Sequence, residues 1–124
     1  MNDSIANMTK VFRKAPDKLR EFYRNYVFGS MEATGPVINQ YCTEKLARWL
    51  RDDYEYEDGG YAVWDLRSGN QDGDSDASAL SDVDALGDGK FKVHYFDMGV
   101  ARSCVVTCVI SGDDILFDEV NASE

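Results

Sequence analysis

The chain has 124 residues and a formal net charge of −10 at pH 7, a length typical of one domain. Apolar residues make up 44% and aromatic residues 12%, which excludes a disordered chain. The acidic excess argues against binding of nucleic-acid phosphates, which requires a positive surface. No apolar run approaches the roughly 20 residues that span a bilayer. We therefore predict one domain over residues 1–124 that binds no nucleic acid and has no membrane span.

The first part of the chain predicts an N-terminal arm, residues 1–16, followed by helices. A proline at the end of this arm, with an acidic residue next to it, is typical of a helix start. Helical spacing then gives one apolar stripe of Leu19, Phe22, Tyr23 and Tyr26. We expect this helix to end at Gly29 or at the turn over residues 34–36.

A second helical region follows this turn. One face carries its apolar side chains: Ile38, Tyr41, Cys42, Leu46, Trp49 and Leu50. Thr43 is a candidate N-cap. We expect it to divide the region into a short helix and a longer one that runs to about residue 54.

The rest of the chain predicts strands. Residues 61–66 indicate a short strand with Ala62, Trp64 and Leu66 on one face. Gly, Asp, Ser and Asn dominate residues 67–89, an acidic loop. This loop is long enough that we expect part of it to pair or to form a helical turn near residues 79–80. Strands follow at 90–97, 101–111 and 115–120, and their short connections make them antiparallel neighbours.

The order of helices and then strands predicts an α+β fold. We expect the N-terminal helices to pack on one face of a curved, mainly antiparallel sheet. Such a cone can leave a cavity between helices and sheet. The third strand has a second apolar face formed by Val105, Thr107 and Val109 with Ser103. An apolar outer face predicts a homodimer through the sheet.

Four segments resemble a family of small bacterial proteins of unknown function in the nuclear transport factor 2-like, cystatin-like superfamily. They are LREFYRNY at 19–26, YCTEKL at 41–46, NQD at 70–72 and ILFDEV at 115–120. The resemblance covers about residues 17–120. It implies the cone-shaped fold and frequent dimerisation through the sheet, and it brings no catalytic residues because the family has no established activity.

The sequence does not decide between two cellular locations for the protein. The first ten residues lack a basic region followed by an apolar run, so we expect no signal peptide in this chain. Many members of the family that it resembles are exported or lipid-anchored. The alternatives are a cytosolic protein and an exported one whose signal has been removed.

The three cysteines are interpreted as small buried apolar residues. Cys104 and Cys108 lie four residues apart in a predicted strand, roughly 13 Å from each other, which is beyond disulfide reach. A bridge from Cys42 stays open. No CxxC pair or histidine cluster accompanies them, so we predict no cofactor and no cysteine-bound metal.

Five aromatic residues are candidates for lining a ligand pocket in the cone, because their polar tips would supply fixed hydrogen bonds. They are Tyr23, Tyr26, Trp49, Trp64 and Tyr95. The alternative is ordinary core packing, since each has helix or strand spacing with other apolar residues.

Two further motifs are weaker. Asp72, Asp74 and Asp76 place oxygen ligands at alternate positions, which suits Ca²⁺, but the glycine and glutamate of an EF-hand loop are missing, and a solvated acidic loop fits better. His94 alternates with the apolar residues of its strand, so it should point away from the core. We therefore assign no catalytic residue.

Charge is concentrated in the middle of the chain. Residues 52–88 carry twelve acidic side chains and one basic side chain, a net charge of −11, whereas residues 1–51 have a net charge of +4. A segment of this kind can capture a basic protein and accelerate the encounter.

Three functional hypotheses follow. The first is a non-enzymatic binding domain for a small ligand or a protein partner. The second is an acidic inhibitor or immunity-like protein that binds a basic partner. The third is a small-molecule isomerase, dehydratase or hydrolase that uses the cone cavity, which requires an ionisable residue facing that cavity.

Overall fold

The computed structural model describes residues 10–29, 31–54, 60–66, 79–97 and 99–123. Helix α1 at Ala15–Phe22 has a proline in its first turn and continues as a π-helical segment over Tyr23–Val27. The predicted helix and its buried stripe are confirmed. The predicted end of the arm at residue 16 is too late, because residues 10–12 are already helical and Val11 packs into the core.

Two short helices follow, α2 at Gly35–Tyr41 and α3 at Glu44–Asp52. The predicted N-cap at Thr43 is confirmed, since its Oγ1 accepts a hydrogen bond of 3.3 Å from the N–H of Leu46. The prediction that Trp49 lies on the buried face is wrong, because this side chain is 40% exposed. The buried face of α3 centres on Leu46, Ala47 and Leu50, and position 49 lies about 100° from that centre on a helical wheel.

Two predictions between the helices and the sheet are corrected. Residues 61–66 were expected to form a strand, but Val63–Leu66 is a 3-10 turn. The segment predicted as an acidic loop over residues 67–89 contains a strand, β1 at Ala79–Gly87, so its end pairs rather than forming a helical turn. Among the side chains of β1, only Val83 is buried, which explains why the sequence lacks a clear apolar alternation there.

The remaining strands occur where they were predicted, with longer bounds. They are β2 at Lys90–Asp97, β3 at Val100–Ser111 and β4 at Asp114–Ser123. The described strands form one antiparallel sheet in the order β1-β2-β3-β4. The β1–β2 turn requires glycine at Gly89, where φ is +78° and an added Cβ would lie 2.7 Å from the carbonyl oxygen of Cys108.

The helices pack on one face of this sheet, so the predicted α+β class is confirmed. Helix α1 contacts β1, while α2 and α3 contact β4. Between the two layers lies an aromatic layer of Phe22, Tyr41 and Phe117, whose ring centroids are 4.9 to 6.1 Å apart. None of the helices among the described residues combines the length and the apolar character needed to cross a bilayer.

Candidate functional site

The predicted pocket residues Tyr23 and Tyr95 lie inside the domain. The side chain of Tyr23 is fully buried, and its hydroxyl donates a hydrogen bond of 2.5 Å to the carbonyl oxygen of Leu66. The Sγ atom of Cys104 lies 3.2 Å from the same hydroxyl. Burial, reinforced by Cys104, raises the pKa of Tyr23 well above its usual value. Tyr95 is also buried, and Phe28 packs on both tyrosine rings.

The other three pocket candidates have different environments. Tyr26 is half-buried beside the aromatic layer, 5.5 Å from Phe22 and 5.7 Å from Tyr41 between ring centroids. Trp49 faces solvent. The side chain of Trp64 lies outside the described residues, although its backbone belongs to the 3-10 turn. The structure therefore brings Tyr23 and Tyr95 together and separates Trp49 from them. The shared pocket stays a prediction.

The exposed side of α3 forms a groove with β4, which we call the Trp49 groove. It has a volume of about 460 Å³ and is open to solvent. Its lining includes Lys45, Trp49, Asp118, Glu119, Val120 and Asn121. Apolar and charged side chains therefore meet at one surface, and the indole of Trp49 is part of it.

Two hydrogen bonds from Thr43 hold the walls of the groove together. Its backbone N–H donates to the carbonyl oxygen of Phe117 at 2.9 Å, and its hydroxyl donates to Oδ1 of Asp118 at 2.9 Å. Asp118 is positioned by a β-bulge, because Thr107 pairs with Glu119 whereas the next residue, Cys108, pairs with Phe117. A bulge commonly turns a side chain towards a new direction, and here Asp118 reaches α3.

The charges of the groove form a small network. The Nζ atom of Lys45 lies 2.7 Å from Oε1 of Glu119 and 3.0 Å from Oδ2 of Asp118. Hydrogen bonds with Glu119 and then Asp118 raise the pKa of Lys45, so its ammonium is charged at neutral pH. One ammonium and two carboxylates leave one negative charge on the groove. Exposed pairs of this kind contribute little stability and can rearrange around a partner.

The sequence did not indicate the groove, because its two walls are about seventy residues apart in the chain. One signal was present. Phe117 and Val120 are both apolar but three residues apart, which breaks the period of two expected in a strand. This spacing is typical of a strand with a bulge, and the bulged residue is Asp118.

His94 lies on the outer face of the sheet, as predicted. Its neighbours Val93 and Tyr95 are buried, whereas its ring is partly exposed. The Nε2 atom lies 2.8 Å from Oδ2 of Asp84 on the adjacent strand. This pair links β1 to β2 on the side away from the helices.

The three cysteines are buried and free, so their interpretation as small buried residues is confirmed. The bridge from Cys42 that the sequence left open is absent. Burial raises the pKa of Cys42 and of Cys108 to about 12 and that of Cys104 to about 11. Since the thiolate is the reactive form, these thiols are poor nucleophiles at neutral pH.

The aspartates proposed as weak calcium ligands, Asp72, Asp74 and Asp76, lie outside the described residues. Within the part of the chain that the structure describes, no group of three or more His, Cys, Asp or Glu side chains is placed to hold a metal ion. The calcium hypothesis stays a prediction.

Comparison with known proteins gives a fold and no activity. No family model matches the sequence, and no curated protein matches it. A crystal structure of a protein of unknown function from Bacteroides thetaiotaomicron is similar, with a TM-score of 0.61 and 18% sequence identity. The match covers 97% of this chain and 98% of that chain. The likeness shows that the α+β arrangement is shared over the whole length.

Proposed function

We propose that this protein is a non-enzymatic binding domain that recognises a protein partner through the Trp49 groove. The observation that carries the proposal is the 40% exposure of Trp49 inside a groove whose walls combine apolar and charged side chains. Tryptophan is enriched among the residues that dominate binding energy at protein interfaces. The exposed part of the indole, together with the charged walls, offers both apolar area and polar contacts to a partner.

A small ligand inside the cone is less well supported. Leu19, Phe22 and Tyr23 are fully buried and fill the space between α1 and the sheet. The tyrosine and the thiols there have raised pKa values, so they remain neutral rather than moving protons at neutral pH. An isomerase or hydrolase would depend on Asp97, a buried carboxylate at the end of β2.

An acidic inhibitor or immunity-like role is the second candidate, and the charge distribution favours it. Asp82, Asp84 and Asp88 are exposed along β1 and its turn, within the segment of net charge −11. Attraction to a basic protein through this surface would weaken strongly with salt. Binding through the Trp49 groove would keep an apolar component at high salt.

The test is a pull-down from the source lysate. It compares the proteins retained by the immobilised full chain with those retained by two variants, Trp49→Ala and Leu86→Ala. Leu86 is a matched control because it is 53% exposed and lies on β1, at the other edge of the sheet. We expect a defined protein to be lost from the Trp49→Ala column and kept by the Leu86→Ala column at both low and high salt. Identical retention by all three proteins would overturn the proposal.

We also propose that the fold is a nuclear transport factor 2-like cone and that two copies pair through the outer sheet face. The half-buried side chains of Val105, Val109 and Leu116 on that face support pairing. Light scattering should then give a mass of about 28 kDa, twice the 13.9 kDa of the chain. A mass near that of a single chain at high concentration would contradict pairing.

A further inference from the structure

We propose that the Trp49 groove binds an arginine side chain of a basic protein partner, with the guanidinium lying on the indole of Trp49 and hydrogen-bonded to Glu119. This inference rests on the proposed function, since it names the chemistry of the partner at the same groove. Three features of the groove favour this ligand: the exposure of the indole, the sign of the surrounding charge and the position of the carboxylate acceptors.

The indole of Trp49 is 40% exposed and lines the groove. Trp49 lies on the exposed side of α3, which is capped by Thr43 and packed on β4, so its backbone is held in place. Tryptophan has the strongest attraction for cations among the aromatic side chains. A volume of about 460 Å³ lies within the range of roughly 300 to 1,000 Å³ that is usual for binding pockets.

The surroundings of the indole favour a cation over an anion or a neutral group. Asp118 and Glu119 outnumber Lys45 in the groove. Asp52 and Asp53 are exposed three and four residues beyond Trp49, and residues at this spacing share one face of a helix. They lie at the C-terminal end of α3, where the helix dipole adds negative potential.

The acceptors favour arginine over lysine. Lys45 already places one ammonium between Asp118 and Glu119, so a cationic ligand has to bind beside this position. The side chain of Glu119 is 52% exposed and holds Lys45 through Oε1, which leaves Oε2 for a ligand. A guanidinium is planar, stacks on an aromatic ring and donates in a fixed fork, so it can meet the indole and Oε2 together.

The experiment titrates the full chain at low salt with three capped peptides of identical length. In each peptide glycine alternates with one other residue, which is arginine in the first, lysine in the second and citrulline in the third. Citrulline retains the shape of arginine without its charge. The readouts are affinity and the NMR shift of the Trp49 indole N–H, assigned with the Trp49→Ala variant. We expect the arginine peptide to bind and to move this signal, the lysine peptide to bind several-fold more weakly, and the citrulline peptide not to bind.

Variants locate the effect. Trp49→Ala and Glu119→Gln should each lower the affinity for the arginine peptide about two- to fivefold, the size expected for an exposed cation–π contact. Lys45→Gln should strengthen binding, because it removes the competing cation. Leu86→Ala should leave affinity unchanged. All four positions are exposed, so each variant should fold, which far-UV circular dichroism verifies.

Two results would overturn the inference. Equal affinity for the arginine and lysine peptides with no movement of the indole signal would mean general attraction to an acidic surface. Absence of binding by all three peptides would exclude a cationic ligand. If a protein is still captured in a Trp49-dependent manner, the groove keeps its binding role and only arginine recognition is rejected. If neither peptide binding nor Trp49-dependent capture of a protein is observed, the groove is rejected as a binding site.

Discussion

Aromatic side chains occupy two contrasting regions of this domain. In the aromatic layer, Phe22, Tyr41 and Phe117 have ring centroids 4.9 to 6.1 Å apart and almost no exposed surface. In the Trp49 groove, a single large ring remains 40% exposed. The first region joins helices to sheet, so its rings stabilise the fold. The second contributes only part of its apolar area to the fold and leaves the rest available for a partner.

Ionisable groups also differ between the interior and the groove. In the interior, burial keeps the thiols of Cys42, Cys104 and Cys108 protonated. In the groove, Lys45 and Glu119 remain charged, paired with each other and open to water. Changes inside should therefore affect stability, and changes in the groove should affect binding.

The largest expected effect is at Phe117. This side chain is fully buried and contacts both Phe22 and Tyr41. Phe117→Ala should lower the free energy of unfolding by about 3 to 5 kcal/mol, the usual cost of removing a buried aromatic ring. Urea unfolding followed by circular dichroism measures this change.

Phe96→Ala is the matched control, because Phe96 is also a strand phenylalanine but is 45% exposed. We expect its free energy of unfolding to change by less than about 1 kcal/mol. Similar losses at Phe117 and Phe96 would contradict the distinction between the interior and the surface.

The second effect is alkaline destabilisation by the buried thiols. Their pKa values rise from 9.0 to about 11 or 12 in the folded protein. Below pH 9 neither state is ionised and the stability is fully present. Above pH 9 only the unfolded chain loses thiol protons, so stability falls as the pH rises towards the folded pKa values.

At pH 10 each thiol should lower the free energy of unfolding by roughly 1 to 2 kcal/mol, and the three together by about 4 kcal/mol. Urea unfolding at pH 8 and pH 10 measures the loss. Cys104→Ala should reduce the difference between the two pH values by about a third, whatever its effect on stability at pH 8. Equal stability of the wild-type protein at both pH values would contradict burial of the thiols.

The helices and three of the strands were predictable because their apolar residues follow clear periods. The stripe of Leu19, Phe22 and Tyr23 has helical spacing, and Phe91, Val93 and Tyr95 alternate. For β1 the sequence left pairing and a helical turn as alternatives, because this edge strand has one buried side chain, Val83, and no clear apolar alternation. Local composition there resembles a loop, and pairing with β2 decides the structure.

The Trp49 groove was harder to predict because it depends on contacts between distant parts of the chain. On a helical wheel Trp49 lies on one side of Leu46 and Leu50, and Ala47 lies on the other. The packing of α3 on β4 decides that Ala47 is buried and that the indole stays outside. The position of Asp118 depends on a bulge, which the spacing of Phe117 and Val120 indicates only in retrospect. Tertiary packing therefore converts a predicted core residue into a surface one.

The smallest expected effect on stability is at Trp49 itself. Trp49→Ala should lower the free energy of unfolding by no more than about 1 kcal/mol, because the indole is only partly covered in the folded protein. Leu50→Ala, one residue further along α3, removes a fully buried side chain and should cost about 2 to 5 kcal/mol. Thermal or urea unfolding of both variants gives the comparison. A loss at Trp49 as large as that at Leu50 would mean that the indole holds α3 to the sheet, and its exposure would then be no argument for a binding role.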